Sequence, residues 1–222
     1  MMQGFIITVM ERPDSVKHAH ECAKSCSSFG ITARLFPGFF LDAGPDFLQS
    51  KGISIRKNLI PRLVKKMSAR GVVGCFASHL ALWEMCAAQT ETFLILEEDA
   101  LMVRPLRDYA FDGVLKLDPL LADRDDYLQA FWEVQNREND EVSEDALVYF
   151  DMTTDGETFH YMQGGYAYLI KPDAASALVR ATYERGYLAA DVMINDATVP
   201  ISCVTKSIFL HRPRGYSLSR AV

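Results

Sequence analysis

Gly4-Phe5-Ile6-Ile7-Thr8-Val9-Met10 runs without a charge into Glu11-Arg12-Pro13, and this junction decides the fold class. An unbroken apolar run of this length reads as a strand buried on both faces, as in a parallel sheet; a strand with one wet face would alternate. The strand stops at Glu11. Asp14 or Ser15 is then placed to cap a helix through about Ser28, with Gly30 as its C-terminal stop. Residues 31–36, Ile-Thr-Ala-Arg-Leu-Phe, supply the second strand. Strand, helix, strand within 36 residues is the opening of an α/β fold.

Outward from this unit, residues 37–70 carry Gly38, Gly44, Pro45, Gly52 and Pro61, which predicts a long, partly helical excursion over the sheet edge. From Cys75 to Ala88 the apolar positions Phe76, Leu80, Trp83 and Ala87 recur at helical spacing, and residues 92–96 form an apolar strand. Trp83 belongs to the core. Asp123, Asp125, Asp126, Glu138, Asp140, Glu141, Glu144 and Asp145 crowd into residues 123–157, which predicts an exposed, mobile insertion. Gly164-Gly165 leads into a strand over residues 166–170, Pro172 and Asp173 start a helix to about Arg185, and residues 201–210 close the pattern with apolar chain.

Bulk properties narrow the function classes. A net charge of -6 argues against nucleic acid, and the densest cationic stretch, Arg62, Lys65, Lys66 and Arg70, suffices for no more than one pyrophosphate. The five cysteines, Cys22, Cys26, Cys75, Cys86 and Cys203, form no CxxC pair, so reduced thiols are expected. His18, Cys22 and Cys26 share a helix face, and burial of small side chains accounts for that better than zinc. Residues 1–10 lack a basic leader, and no window approaches the roughly 18 apolar residues of a membrane span. A soluble intracellular protein is expected.

The chemistry concentrates at Phe93-Leu94-Ile95-Leu96-Glu97-Glu98-Asp99. Side chains two apart on a strand share a face, so Glu97 and Asp99 are expected to converge while Glu98 points elsewhere. Like charges about 4 Å apart cost on the order of 4 kcal/mol at an effective dielectric near 20, so the cluster wants a cation or a proton. Oxygen ligands suit Mn²⁺ or Mg²⁺, and a dication can neutralise a departing diphosphate. An acidic turn that merely ends a strand is the competing reading.

Gly71-Val72-Val73-Gly74-Cys75-Phe76-Ala77-Ser78-His79-Leu80-Ala81-Leu82-Trp83, followed by Leu94-Ile95-Leu96-Glu97-Glu98-Asp99-Ala100, resembles glycosyltransferase family 25, the lipooligosaccharide galactosyltransferases and their collagen galactosyltransferase relatives. Ile6-Ile7-Thr8-Val9-Met10-Glu11-Arg12-Pro13 looks like that family's opening strand and arginine turn, Gly164-Gly165-Tyr166-Ala167-Tyr168-Leu169-Ile170 like a later strand, and Asp191 follows at the distance of a family aspartate. The resemblance implies a GT-A-like fold with a central, mostly parallel sheet flanked by helices. It also implies inverting transfer of a hexose, galactose from UDP-galactose above others, to a saccharide or glycolipid hydroxyl.

At 222 residues the chain fits one compact domain, 1–222, or at most two small ones, and with the resemblance residues 1–120 are expected to bind donor nucleotide and metal and residues 121–222 to lie on the acceptor side. Val9, Glu11, Arg12, Ser78, His79, Glu97 and Asp99 are expected at the nucleotide sugar, with Ser78 and His79 near a helix start. Glu97, Asp99 and His211 are the expected metal ligands, with Arg212 and Arg214 beside His211 for phosphate. Asp191 is the expected general base, its rival role being a helix cap before Val192, and Glu98 is the other catalytic carboxylate. The partners implied are the UDP-sugar donor and a glycan or glycolipid acceptor, in the cytoplasm and with peripheral association at the inner membrane face an option; the resemblance says nothing of oligomeric state. Val72 stands where the family carries an acid, and Glu98 where it carries aspartate. These departures keep open a non-catalytic nucleotide-sugar or glycan binder, and the collagen relatives keep open transfer to a protein side chain.

Overall fold

The computed structural model describes residues 2–119, 127–144, 146, 149–154, 156–162 and 164–211. Its centre is a seven-stranded sheet in the order β2-β1-β3-β9-β5-β10-β6. The strands are β1 (Met2–Thr8), β2 (Ala33–Pro37), β3 (Thr92–Glu97), β5 (Val114–Lys116), β6 (Val142–Ser143), β9 (Ala167–Ile170) and β10 (Ile201–Val204). Five point one way. β9 runs antiparallel to both β3 and β5, and β6 antiparallel to β10. Two ribbons complete the strands: β4 (Ala100–Met102) with β11 (Phe209–His211), and β7 (Tyr149–Thr154) with β8 (Glu157–Met162).

The apolar strand runs translate into two buried faces. Phe5, Ile7, Phe93, Ile95, Tyr168 and Ile170 point into one core, which α4 (Arg70–Ala87) and α6 (Pro172–Arg185) cover. Ile6, Leu94, Leu96 and Leu169 point into the other, covered by α1 (Pro13–Ser28) and the β4–β11 ribbon. Cys22 and Cys26 lie in the second core as small apolar groups, and all five thiols are free. The remaining helices are α2 (Ala43–Ser50), α3 (Pro61–Met67), α5 (Tyr127–Gln135) and α7 (Ala190–Met193). Among the described residues no helix is long and apolar enough to cross a membrane.

Some local expectations change. Neither Asp14 nor Ser15 caps α1: Arg12 occupies the cap position without a side-chain bond and Pro13 opens the first turn. Ser15 instead accepts the Val9 N–H at 2.9 Å, which ties the end of β1 to the helix. The apolar stretch 201–210 is two strands in two different sheets. The acidic segment is not uniformly exposed, because Asp140 is half-buried and bound by Arg104 at 2.8 Å, Arg107 at 3.4 Å and the Tyr109 hydroxyl at 3.2 Å. Asp123, Asp125, Asp126 and Asp145 lie outside the described residues.

The largest correction concerns α4, which begins at Arg70, well before the periodic stretch that announced it. Its glycine at 74 is required by contact: a Cβ there would stand 2.5 Å from the Phe39 carbonyl oxygen, and one on Gly44 would stand 2.8 Å from Gly74 Cα. Gly74→Ala should therefore cost about 1–3 kcal/mol of stability, read as a lower urea midpoint with an unchanged slope. An unaltered midpoint would mean that α2 and the residue-39 loop yield freely.

Candidate functional site

Parallel strands bring their carboxyl ends to one edge, where open α/β sheets bind ligands. Glu97 is the last residue of β3 and pairs in register with Ile7 near the end of β1. Because β9 is reversed, its entry turn reaches the same edge, and the Glu97 N–H donates to the Tyr166 carbonyl at 2.8 Å. Glu98 and Asp99 do not continue the strand; they form a turn into β4. Strand alternation therefore does not apply to them, and Glu98 does not face away. It is 3% exposed, as is Asp99.

Beneath Glu97 lies a buried chain of hydrogen bonds. His79 Nε2 is 3.3 Å from Glu97 Oε1, His79 Nδ1 is 2.7 Å from the Tyr168 hydroxyl, and Trp83 Nε1 donates to that hydroxyl at 2.9 Å. An indole N–H can only donate, which frees the tyrosine proton for Nδ1 and leaves the Nε2 proton directed at the carboxylate. Cys75, His79 and Trp83 are spaced four apart on α4, so one helix face carries all three. Cys75 Sγ lies 3.8 Å from Glu97 Oε1, and ligating atoms of Cys75, His79 and Glu97 all fall within 4.8 Å of one another.

Asp99 is met from the other side. Pairing of β11 with β4 sets His211 opposite Ala100, and His211 Nε2 contacts Asp99 Oδ2 at 2.9 Å. The second oxygen, Oδ1, is buried without a hydrogen-bond partner among the described residues. His211 packs edge-on against Tyr166, whose hydroxyl donates to the buried Asp118, which also accepts from Ser207. Arg212 and Arg214 lie outside the described residues.

Asp191 enters from α7. Its Oδ1 accepts the Val192 N–H at 3.0 Å, but it is not the helix cap, since Asp191 lies inside the first turn of α7 and Ala189 holds the cap position; the Gly164 N–H bonds the same side chain. A Cβ on Gly165 would lie 3.8 Å from Asp191 Cα, so the diglycine turn passes close by.

Charge confirms that these groups form one cluster. Burial pushes the Asp191 carboxyl up and the Glu97 charge adds to it, while Lys66 opposes. Glu98 is pushed up to about 9 by burial, then by Asp99 and Glu97, with Arg12 opposing. Burial disfavours ionisation of Glu97 too, but the hydrogen bond from His79, with His211 and Cys75, outweighs it and holds this carboxyl below its ordinary value. Burial, Glu97, Asp191, Glu98 and Asp99 together raise the Cys75 thiol well above normal.

Other expected site residues stand further back. Val9 is buried, Glu11 is exposed, and Arg12 makes an exposed ion pair with Asp14 at 2.6 Å. Ser78 and His79 are in the middle of α4, not at its start, and have no free helix-terminal N–H groups around them. Ser78 donates to the Gly74 carbonyl at 2.7 Å and accepts the Phe39 N–H at 2.9 Å, fixing the loop after β2. Tyr168, Asp118 and Ser207 were missed from the sequence; the tyrosine had a signal, a hydroxyl inside an apolar strand that must find a partner. Two open hollows of about 550 Å³ and 560 Å³ lie elsewhere, one beside Arg56 and Gly186, the other beside Gln3 and Glu84.

Between pH 4.5 and about 9 the folded chain holds a proton on Glu98 that the unfolded chain has released. Stability should therefore fall as pH rises through that window, by about 1.4 kcal/mol per unit. In chelator, Glu98→Gln should gain melting temperature over wild type between about pH 5 and pH 8; a gap that stays constant would show Glu98 ionised in the fold.

None of the curated proteins compared with the chain matches it. The family pattern described as glycosyltransferase family 25 (LPS biosynthesis protein) matches residues 5–194, a span that holds every strand of the cluster except β11 and takes in Glu97, Glu98, Asp99 and Asp191. With that span covering most of the 222 residues, the chain belongs to glycosyltransferase family 25.

Proposed function

We propose that this glycosyltransferase is a metal-dependent, inverting hexosyltransferase that uses a UDP-sugar, UDP-galactose above others, and delivers the hexose to a saccharide or glycolipid hydroxyl in the cytoplasm. The observation that carries this reading is Asp99 Oδ1, a buried carboxylate oxygen with no hydrogen-bond partner among the described residues, set among Glu97, Glu98 and His211. A buried carboxylate oxygen left without a partner is costly, and an oxygen-rich cluster with one imidazole is a donor set that Mn²⁺ or Mg²⁺ accepts. Asp99, Glu97 and His211 would hold the ion, which would supply positive charge to the diphosphate leaving group.

The chain's own residues account for the rest. His79, locked by Tyr168 and Trp83, keeps Glu97 ionised and oriented. Asp191 takes the proton of the acceptor hydroxyl as that oxygen bonds to the anomeric carbon, while the bond from that carbon to the diphosphate breaks and UDP leaves with the electron pair. Its raised pKa makes it a stronger base than an ordinary aspartate. Glu98, with its higher pKa, is a hydrogen-bond donor to the bound sugar at neutral pH. Arg12 adds a positive charge on the donor side, one that Glu98 already feels.

Calorimetry with UDP should show binding that requires Mn²⁺ or Mg²⁺, and UDP-galactose should be turned over slowly even without acceptor. Asp99→Asn should lower metal-dependent turnover at least about a hundredfold with the fold intact; full activity in this variant removes the metal assignment. Asp191→Asn should keep UDP binding and lose about 10²- to 10⁴-fold in transfer. Tight UDP binding without turnover across saccharide, glycolipid and peptide acceptors would establish a binding protein instead.

A further inference from the structure

The hollow beside Arg56 and Gly186 includes none of the clustered carboxylates, yet its walls are firmly built. Residues 52–58 and the chain leaving α6 are strapped together along its edge. Ile55 bridges Tyr187 in parallel register, the Arg56 N–H donates to the Tyr187 carbonyl at 3.0 Å, and the Tyr187 N–H donates to the Ser54 carbonyl at 2.9 Å. Only glycine permits that approach at 186, where φ is +83 and a Cβ would stand 2.6 Å from the Ser54 oxygen. Arg56 is 6% exposed, with its guanidinium held over the Phe159 ring at 5.7 Å. Glu157 is two residues before Phe159 on β8 and shares its face, and there it meets Arg185 from the last turn of α6 at 3.6 Å.

These walls select a class of ligand. A volume of about 550 Å³ lies within the roughly 300–1,000 Å³ of small-molecule sites. The lining sets Arg56, Lys57 and Arg185 against Glu157 and Glu184 and adds the Asn58 amide. A charged ligand of either sign meets like charge here, and an apolar one would strip water from these groups without replacing its hydrogen bonds. Sugar hydroxyls both donate and accept, so neighbouring hydroxyls satisfy a guanidinium and a carboxylate side by side. The Arg185–Glu157 pair is exposed on both sides and contributes little to the fold, so its members can turn to hydroxyls at small cost.

A track leads from the hollow to the carboxylates. Glu157, Phe159 and Tyr161 alternate onto one face of β8, and Tyr161 bridges Asn195 just past α7. Burial and then the Asp191 charge push the Tyr161 hydroxyl pKa up, which places that phenol within the field of the base. Glu157 lies about 13 Å along the strand from Tyr161, and the five steps of chain from Gly186 limit its distance from Asp191 to about 18 Å. A short oligosaccharide covers such a span; a monosaccharide does not.

We propose that this hollow is a saccharide subsite, which holds a neutral sugar residue of the acceptor remote from the hydroxyl at Asp191, so that the enzyme selects oligosaccharides over monosaccharides. The acceptor role rests on the transfer reading above; the saccharide site itself does not.

The test is binding of the full chain to an array of neutral and acidic glycans of one to four residues, with and without UDP and Mn²⁺. Neutral glycans of three or four residues should bind at least about tenfold more tightly than the monosaccharides that end them, and acidic ones no better. With the best-bound array glycan as probe, Arg185→Ala and Glu157→Ala should each weaken binding about tenfold, and circular dichroism should show both folded. In transfer from UDP-galactose, both variants should raise the KM for that glycan by the same factor and leave kcat, donor hydrolysis and the KM of a monosaccharide acceptor unchanged. No binding in either condition, binding indifferent to chain length, a preference for acidic glycans, or full affinity in both variants would each overturn the proposal. Absence of donor hydrolysis in the wild type, with length-dependent binding retained, would instead sink the enzymatic reading alone.

Discussion

Repulsion among Glu97, Glu98, Asp99 and Asp191 is the constraint around which this end of the molecule is built. Four carboxylates share a partly dry edge, and the shifts of Glu98 and Asp191 register the cost. The fold answers with positive or donating groups from separate elements: the Nε2 proton of His79 from α4, His211 from β11, Arg12 from the turn after β1, and Lys66 from α3. A protein needing only stability would do better with apolar side chains there, since buried charge is rarely a net gain. Carboxylates perturbed in this way concentrate at functional sites, where a fold holds them despite that cost.

The reversed strand β9 is what makes this edge possible. A parallel strand between β3 and β5 would bring its carboxyl end to the site and leave its entry turn at the opposite edge. Running backwards, β9 delivers Gly164, Gly165 and Tyr166 to the carboxylates and carries Tyr168 into the core beneath them. Tyr168 is fully buried, and its hydroxyl ties α4 to the sheet through both Trp83 and His79. The same side chains therefore hold a helix on the sheet and set the orientation of Glu97, so packing and site geometry are one problem.

This explains what the sequence could and could not disclose. Helix α6 matched its expected bounds because both ends carry local chemistry, Pro172 in the first turn and Gly186 at φ +83 after the last. Residues 70–74, Arg-Gly-Val-Val-Gly, have poor helix propensity and hid the start of α4; tertiary contact with Phe39 and Gly44 overrides it. At the site, the carboxylates and Asp191 were legible as residues, but their facing was not, because the strand rule fails one residue into a turn. The His211–Asp99 contact depends on β11 meeting β4 across more than a hundred residues, and Asp118, Tyr166 and Ser207 meet only through the finished topology. No local pattern encodes such pairings.

Among the described residues the ligand group that holds Glu97 is the one with Cys75 and His79, and its chemistry sets it apart from the Asp99–His211 pair expected to hold a metal. With Cys75 and His79, Glu97 forms a mixed sulfur, nitrogen and oxygen group of the kind zinc favours. For that group to bind, Cys75 would have to lose a proton in the field of four carboxylates that already raise its thiol well above normal, and His79 would have to surrender the Nε2 proton it directs at Glu97. Both steps break interactions that the fold has made. On the other side Asp99 Oδ1 has no competing partner among the described residues, and the metal of the proposed function would relieve the repulsion on Glu98 there. The proton cost therefore disfavours a cation on the Cys75 side, and Cys75 and His79 remain the floor on which Glu97 rests.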